Sequence, residues 1–259
     1  MTSMAKTILR LLNSLVSLAV ALCLVLAGAY SAYALWDNSR VYAAAENVQS
    51  DMLKLKPTVN PDGTEDEASF DELRHINSDV CGWVTLDNTK IDYPILQGED
   101  NLSYINTDVY GNFALAGSIF LDSGNSGRFE DSYSLLYGHH MENSRMFGDL
   151  DLYKDETFFN ENTTGELLLP GKAYKLEILA CLLVPASEDA IFQPGQWRDD
   201  ISGLLDFAGE NALHLHADAI EATRQAAQPK ILGMSTCSTE FTDARTILLA
   251  RMVPYSPET

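Results

Sequence analysis

The chain lacks any C-x-x-C pair and has only four cysteines in 259 residues. That excludes a small disulfide scaffold and removes the spacing expected of a structural zinc site. It is also poor in positive charge, with 17 Lys and Arg against 37 Asp and Glu for a formal net charge of −20. A surface this acidic repels phosphate backbones, so nucleic acid is excluded as a partner. There is no internal repeat and no low-complexity tract beyond one acidic linker. The composition is otherwise that of a folded protein, 46% hydrophobic and 21% charged, which argues against global disorder.

Charge is missing altogether from Leu11 to Leu35, a run of 25 residues. As a helix this run is ~37 Å long, enough to cross a ~30 Å hydrocarbon core with some tilt. Lys6 and Arg10 precede it, and Trp36 follows where an interfacial aromatic sits. The positive-inside rule then leaves residues 1–10 in the cytoplasm and residues 36–259 outside the cell. A cleaved signal peptide competes with this reading, because Ala32-Tyr33-Ala34 resembles a cleavage site. The run exceeds an ordinary signal core, which favours an uncleaved anchor, and its length disfavours a buried core helix.

Beyond the run, Val41, Ala44, Ala45, Val48, Met52 and Leu55 share one face of a helix over 37–55, which Pro57 ends. Residues 57–72, with two prolines, a glycine and six acids, read as a linker or surface loop. Asn60, Asp62 and Glu65 lack the full spacing of a calcium loop, and a solvated loop is the preferred reading. Short apolar or alternating runs follow at 82–86, 90–96, 117–121, 132–138, 173–184, 229–236 and 245–252, punctuated by Gly, Asn, Asp and Pro. This predicts a mainly β domain, a barrel or a sandwich. A helical insertion precedes the last strands: Ile201, Leu204, Leu205 and Ala208 share a face after the candidate cap Asp199 or Asp200, and a second helix is predicted near 216–227.

The cysteines differ in setting. Cys23 lies in the uncharged run, and Cys81 and Cys181 sit among apolar strand residues, where core thiols are expected. Cys237 ends a strand and opens the polar loop Ser238-Thr239-Glu240-Phe241-Thr242-Asp243. Arg245 begins the following strand, so a tight antiparallel return brings both to one end of a sheet. Another strand ends in Tyr137-Gly138-His139-His140-Met141. A thiol, an imidazole and a guanidinium at one rim supply a nucleophile, an acid/base and an anion stabiliser. Taken alone these residues are suggestive only, since paired turn histidines and strand arginines are common. His214 and His216 have no third ligand nearby and read as ordinary residues rather than metal ligands.

Together these segments resemble the sortases, specifically class B, over about Leu73 to Met252. The resemblance is carried by Ile76-Asn77-Ser78-Asp79-Val80-Cys81-Gly82-Trp83, Ile91-Asp92-Tyr93-Pro94-Ile95, Asp100-Asn101 and Gly117-Ser118-Ile119-Phe120-Leu121-Asp122. It continues in Tyr137-Gly138-His139 with Met146-Phe147 and Leu150, in Ser235-Thr236-Cys237, and in Arg245 with Ile247-Leu248 and Arg251. One departure is Gly233-Met234 where the family has Thr-Leu, a change in the strand body that touches packing more than chemistry.

The resemblance implies a sortase-type β-barrel with an N-terminal helix and a helical insertion before the cysteine strand, behind a transmembrane anchor. The implied layout is a cytoplasmic N-terminus at 1–10, an anchor at 11–35, a helix and acidic linker at 36–72 and a catalytic domain at 73–259. It implies a cysteine transpeptidase with Cys237 as nucleophile, His139 as acid/base and Arg245 as stabiliser of the oxyanion or substrate carbonyl. His139 is preferred to His140 because it directly follows Tyr-Gly. No cofactor or metal is implied. The implied partners are surface proteins with a C-terminal sorting signal and an acceptor amine from a peptidoglycan precursor or a pilin lysine. The sorting motif is N-P-x-T-N-like in many members, and the 185–228 insertion is expected to line its pocket. A papain-like protease or an L,D-transpeptidase is disfavoured because their local cysteine signatures are missing. A non-catalytic, membrane-tethered binding module would be expected to lack one of Cys237, His139 and Arg245, and all three are present.

Overall fold

The computed structural model describes residues 3–58, 67–238, 240 and 242–255. The chain divides into two units, one ending at Ala44 and the other running from Ala45 onward. The first unit is helical and belongs to α1, Ser3–Leu53. Between Ile8 and Trp36 its large apolar side chains, among them Leu11, Leu18, Leu24 and Val25, are more than half exposed. By length and composition it can cross a membrane.

The second unit is a barrel. After α1 come α2 (Glu67–Ile76), β1 (Val80–Leu86), β2 (Asp92–Leu96), β3 (Ile119–Leu121), β4 (Tyr133–Tyr137) and the small hairpin β5 (His140–Met141) and β6 (Arg145–Met146). A 3-10 turn at Gly148–Lys154, α3 (Glu156–Glu161), β7 (Thr164–Leu169) and β8 (Lys172–Pro185) follow. The insertion then supplies α4 (Asp189–Phe192), α5 (Ser202–Asn211), β9 (Ala212–Leu215) and α6 (Ala217–Arg224). The chain returns through β10 (Ile231–Cys237) and β11 (Ala244–Pro254).

Strands pair in the order β11-β10-β4-β3-β2-β1-β7-β8, and β8 pairs back to β11 to close eight strands; β9 adds to β8 outside the ring. Closure leaves the ring without a free edge. Alternation along the strands divides the apolar residues between two faces. Val84, Leu86, Leu136, Leu232, Met234, Leu248 and Ala250 fill the interior. Their neighbours Leu135, Ile231, Ile247 and Leu249 point outward, where Ile191, Leu204, Leu205 and Ile220 of the insertion cover them. On the other side Met52, Phe70 and Leu73 cover Val80 and Trp83.

The strands read from alternation all form. β7 escapes that reading because Leu167, Leu168 and Leu169 are buried on both faces, so its residues show no period of two. α2 starts at Glu67, within the stretch read as linker, because Phe70 and Leu73, three residues apart, give it one apolar side. Asn60, Asp62 and Glu65 lie outside the described residues. At the α5 entry the cap position is Ile201, without a side-chain cap bond, so neither candidate cap holds it; Asp200, one residue earlier, accepts the Ser202 N–H at 2.8 Å.

Candidate active site

Register assembles the site. β4 and β10 run parallel and stay paired up to Tyr137 opposite Ser235. The Gly138 N–H then donates to the Ser235 carbonyl at 3.1 Å. His139 and Cys237 each lie two residues beyond that last pair on neighbouring chains. β10 and β11 are antiparallel, and Cys237 pairs directly with Arg245. Residues paired in this way hold their Cβ atoms about 4.5–5.5 Å apart on one face of the sheet. Counting by twos from the outward Leu135, Ile231 and Ile247, that face is the outer one, on the side of the insertion.

The thiol carrier Cys237 is exposed, and His139 and Arg245 are half-buried. His139 Nε2 lies 2.8 Å from the Ile105 carbonyl, which can only accept. Nε2 therefore carries a proton, and the neutral ring keeps its lone pair on Nδ1. Arg245 Nη1 donates to the Ala244 carbonyl at 2.9 Å and has no carboxylate partner among the described residues, so its charge is free for a ligand. Gly138 is required before the histidine. A Cβ there would lie 2.4 Å from Ile119 Cδ1 and 2.7 Å from the Phe147 ring, a fit that only glycine makes.

The other two strand cysteines are silent. Cys81 and Cys181 are buried, and burial pushes both thiols up to about 12. Cys23 is exposed on the first unit. His140 turns away from His139 and places Nε2 3.1 Å from Asp151 Oδ2. His214 Nε2 lies 2.8 Å from the Lys154 carbonyl, and His216 stacks on Phe159 at 4.2 Å between centroids. Among the described residues no group of three His, Cys, Asp or Glu could hold a metal ion.

Around the three candidate residues the structure adds Phe192 and Lys154, which motif reading did not single out, and gives Tyr137 and Asp122 of the quoted segments their contacts. The Tyr137 hydroxyl donates to Asp122 at 2.8 Å, and its ring stacks at 6.4 Å on Phe192 of α4, which brings the insertion to the β4 end. Glu240 is bound to Lys154 and Ser238; among the described residues neither Glu240 nor Asp243 reaches His139 or Arg245.

No protein-family model matches the chain. Among curated proteins, sortase B of Listeria monocytogenes is 27% identical over 223 residues, 85% of this chain and 87% of that protein. Among solved structures, a Streptococcus pyogenes class B sortase involved in pilus biogenesis is 35% identical with a TM-score of 0.64, covering 71% of this chain and 97% of that one. Clostridium perfringens sortase B is 30% identical, also with a TM-score of 0.64, over 71% of this chain and 99% of that one. Likeness in sequence and in fold thus runs through almost the whole length of solved class B enzymes, and the chain belongs to the class B sortases, as a cysteine transpeptidase.

Proposed function

We propose that the chain is a membrane-anchored enzyme that cuts a C-terminal sorting motif of surface proteins and transfers the acyl fragment to a cell-wall amine. Cys237 attacks as thiolate, which makes the rate depend on the fraction of enzyme with Cys237 ionised and His139 protonated. Sulfur adds to the carbonyl carbon of the scissile bond. The electron pair moves to oxygen, and Arg245 stabilises that oxyanion. A fixed donor at such a position is worth about 2.7–4 kcal/mol, and arginine suits it because it stays charged and holds two oxygens in its fork. As the tetrahedral intermediate collapses, His139 gives its proton to the leaving amine and a thioester remains. An acceptor amine then attacks the thioester, its proton passes to His139, and the thiolate leaves.

The observation that carries this reading is the register that sets Cys237 opposite Arg245, with His139 at the exit of the parallel neighbour. Residues 11–35 are the anchor and 73–259 the catalytic domain, outside the cell. Tethering enzyme, sorting substrate and lipid-linked precursor to one surface raises their effective concentration.

The test is incubation of the detergent-solubilised full chain with a library of sorting-motif peptides and an amine, with products weighed by mass spectrometry. Amide exchange at one motif, passing through a Cys237 thioester, is expected. No product from any peptide would sink the reading. A second reading keeps the chemistry and makes a pilin lysine the acceptor. The relationship to the Streptococcus pyogenes enzyme involved in pilus biogenesis favours it. Lysine-bearing pilin peptides against cross-bridge peptides in the same assay separate the two.

A further inference from the structure

The residue that follows each of the three proposed catalytic side chains is tied to one pair on the 3-10 turn Gly148–Lys154. His140 Nε2 lies 3.1 Å from Asp151 Oδ2. The Thr246 hydroxyl donates to Asp151 Oδ1 at 2.9 Å. Lys154 Nζ lies 2.8 Å from Asp151 Oδ1 and donates to the Ser238 hydroxyl at 2.7 Å. It also meets Glu240 Oε1 at 2.5 Å, and the Ser238 hydroxyl donates to the other Glu240 oxygen.

Strand geometry explains the pattern. Consecutive side chains point to opposite faces. If Cys237, His139 and Arg245 share the outer face, their successors turn inward, where the turn lies. Thr246 is fully buried on that side. The turn itself is firmly held. Leu150 and Tyr153 are buried in the barrel core, and the Asp149 carboxylate accepts the Lys90 N–H at 2.7 Å. From the insertion side, His214 binds the Lys154 carbonyl. The ion pairs act on both partners. Burial pulls the Lys154 ammonium down, but hydrogen bonds to Asp151 and Glu240 outweigh it and hold the group above its ordinary value. Hydrogen bonds from Lys154 and Ser238 hold the Glu240 carboxyl down at about 2.

We propose that Asp151 and Lys154 are positioning residues that fix the spacing of thiol, imidazole and guanidinium from beneath the sheet. This rests on the assignment of Cys237, His139 and Arg245 as the catalytic set. Strand register brings the three to one rim, but His139 and the Cys237 loop lie past the last parallel pair, where, among the described residues, no ladder bond holds one segment against the other. A shared anchor under all three does so. Misplacement of about 1 Å in such a set costs on the order of 10²-fold in rate.

The test compares Lys154→Met, Lys154→Arg, Asp151→Asn and the Asp151→Asn/Lys154→Met double variant with the parent, all as full chain in detergent. Three quantities are read: kcat and KM for peptide transfer, the rate at which iodoacetamide alkylates Cys237, and Tm. Lys154→Met is expected to lower kcat by about 10–100-fold with KM within about twofold and Tm little changed, and Lys154→Arg to recover most of the rate. The double variant is expected to lose no more than the worse single one, as members of one unit do. Parental kcat in both single variants, a loss confined to KM, or additive losses in the double variant would each overturn the proposal. Should Lys154→Met fail to fold, Glu240→Gln decides, because it only loosens the clasp. A lowered kcat at parental Tm supports the proposal, and a parental kcat rejects it. Transfer that survives Cys237→Ala would overturn the catalytic assignment itself, whereas an inactive Cys237→Ala beside normal Lys154 variants rejects only the anchor.

Discussion

Two thiols face the same strand at different heights of the barrel. Cys181 on β8 pairs with Leu248 in the middle of β11, and Cys237 on β10 pairs with Arg245 at its start. Cys181 is fully sealed, and burial raises its pKa to about 12. Cys237 stands exposed at the rim beside a cation without a carboxylate partner among the described residues. Only a thiolate reacts as nucleophile, so a few residues along one strand separate a packing thiol from the one proposed to react. Under the proposed assignment the barrel wall makes stability and its rim makes chemistry, and a substitution should reveal which region it touches.

The sharpest contrast is between those two cysteines. Cys237→Ala should remove acyl transfer by more than about 10³-fold while leaving Tm near the parent. Cys181→Ala should keep the rate and lose about 1 kcal/mol of stability. Iodoacetamide should label Cys237 in the native protein, and Cys81 and Cys181 only after unfolding. Normal turnover by Cys237→Ala, measured with a sorting peptide and an amine, would erase the contrast.

The adjacent histidines divide in the same way. His139→Ala should cost about 10²–10⁴-fold in kcat, the range of a lost acid/base. His140→Ala should cost less than about tenfold, because Asp151 keeps Lys154 and Thr246 as partners. The reverse order in a paired kinetic comparison would mean that the proton carrier is His140. Next in size are the two arginines of β11. Arg245→Lys should lower kcat/KM by about 10²-fold through loss of the planar fork. Arg251 is already paired with Glu177 at 2.5 Å, and Arg251→Lys should change stability by at most about 1 kcal/mol and leave the rate alone. Equal effects of the two on kcat/KM would demote Arg245 to a structural residue.

Much of this architecture is legible in the sequence, for physical reasons that can be named. Leu232 and Met234 alternate with Ile231, so strand and faces follow from a period of two. Cys237 and Arg245 sit at the two ends of one turn, so their pairing follows from loop length. The His139 alignment depends on β4 running parallel beside β10, a long-range choice that no local pattern contains; there it was the family resemblance that pointed to the residue. Lys154 stayed invisible because its partner Ser238 is 84 residues away and both are ordinary polar side chains. α2 was hidden for a similar reason: Phe70 and Leu73 are its apolar anchors in a stretch otherwise dominated by acids.

The smallest effect concerns Gly233, where the chain departs from the family's threonine. A Cβ at this position would lie 2.5 Å from the Tyr133 hydroxyl oxygen and 2.9 Å from the ring, both on the neighbouring strand. The tyrosine ring occupies the volume that a larger strand residue would take, and its buried hydroxyl has no hydrogen-bond partner among the described residues. Restoring threonine should therefore overpack the wall by about 1–3 kcal/mol, a fall in Tm of about 2–4 °C per kcal/mol for a domain of this size. In a Tyr133→Phe background the closest clash is gone, and Gly233→Thr should cost measurably less, since contacting residues are not additive. kcat should stay close to the parent in both backgrounds, because the strain falls on the wall and Cys237 is four residues farther along the strand. Equal losses of Tm with and without the Tyr133 hydroxyl would show that the two residues do not share this space, and a collapse of kcat at unchanged Tm would move Gly233 from the wall to the rim.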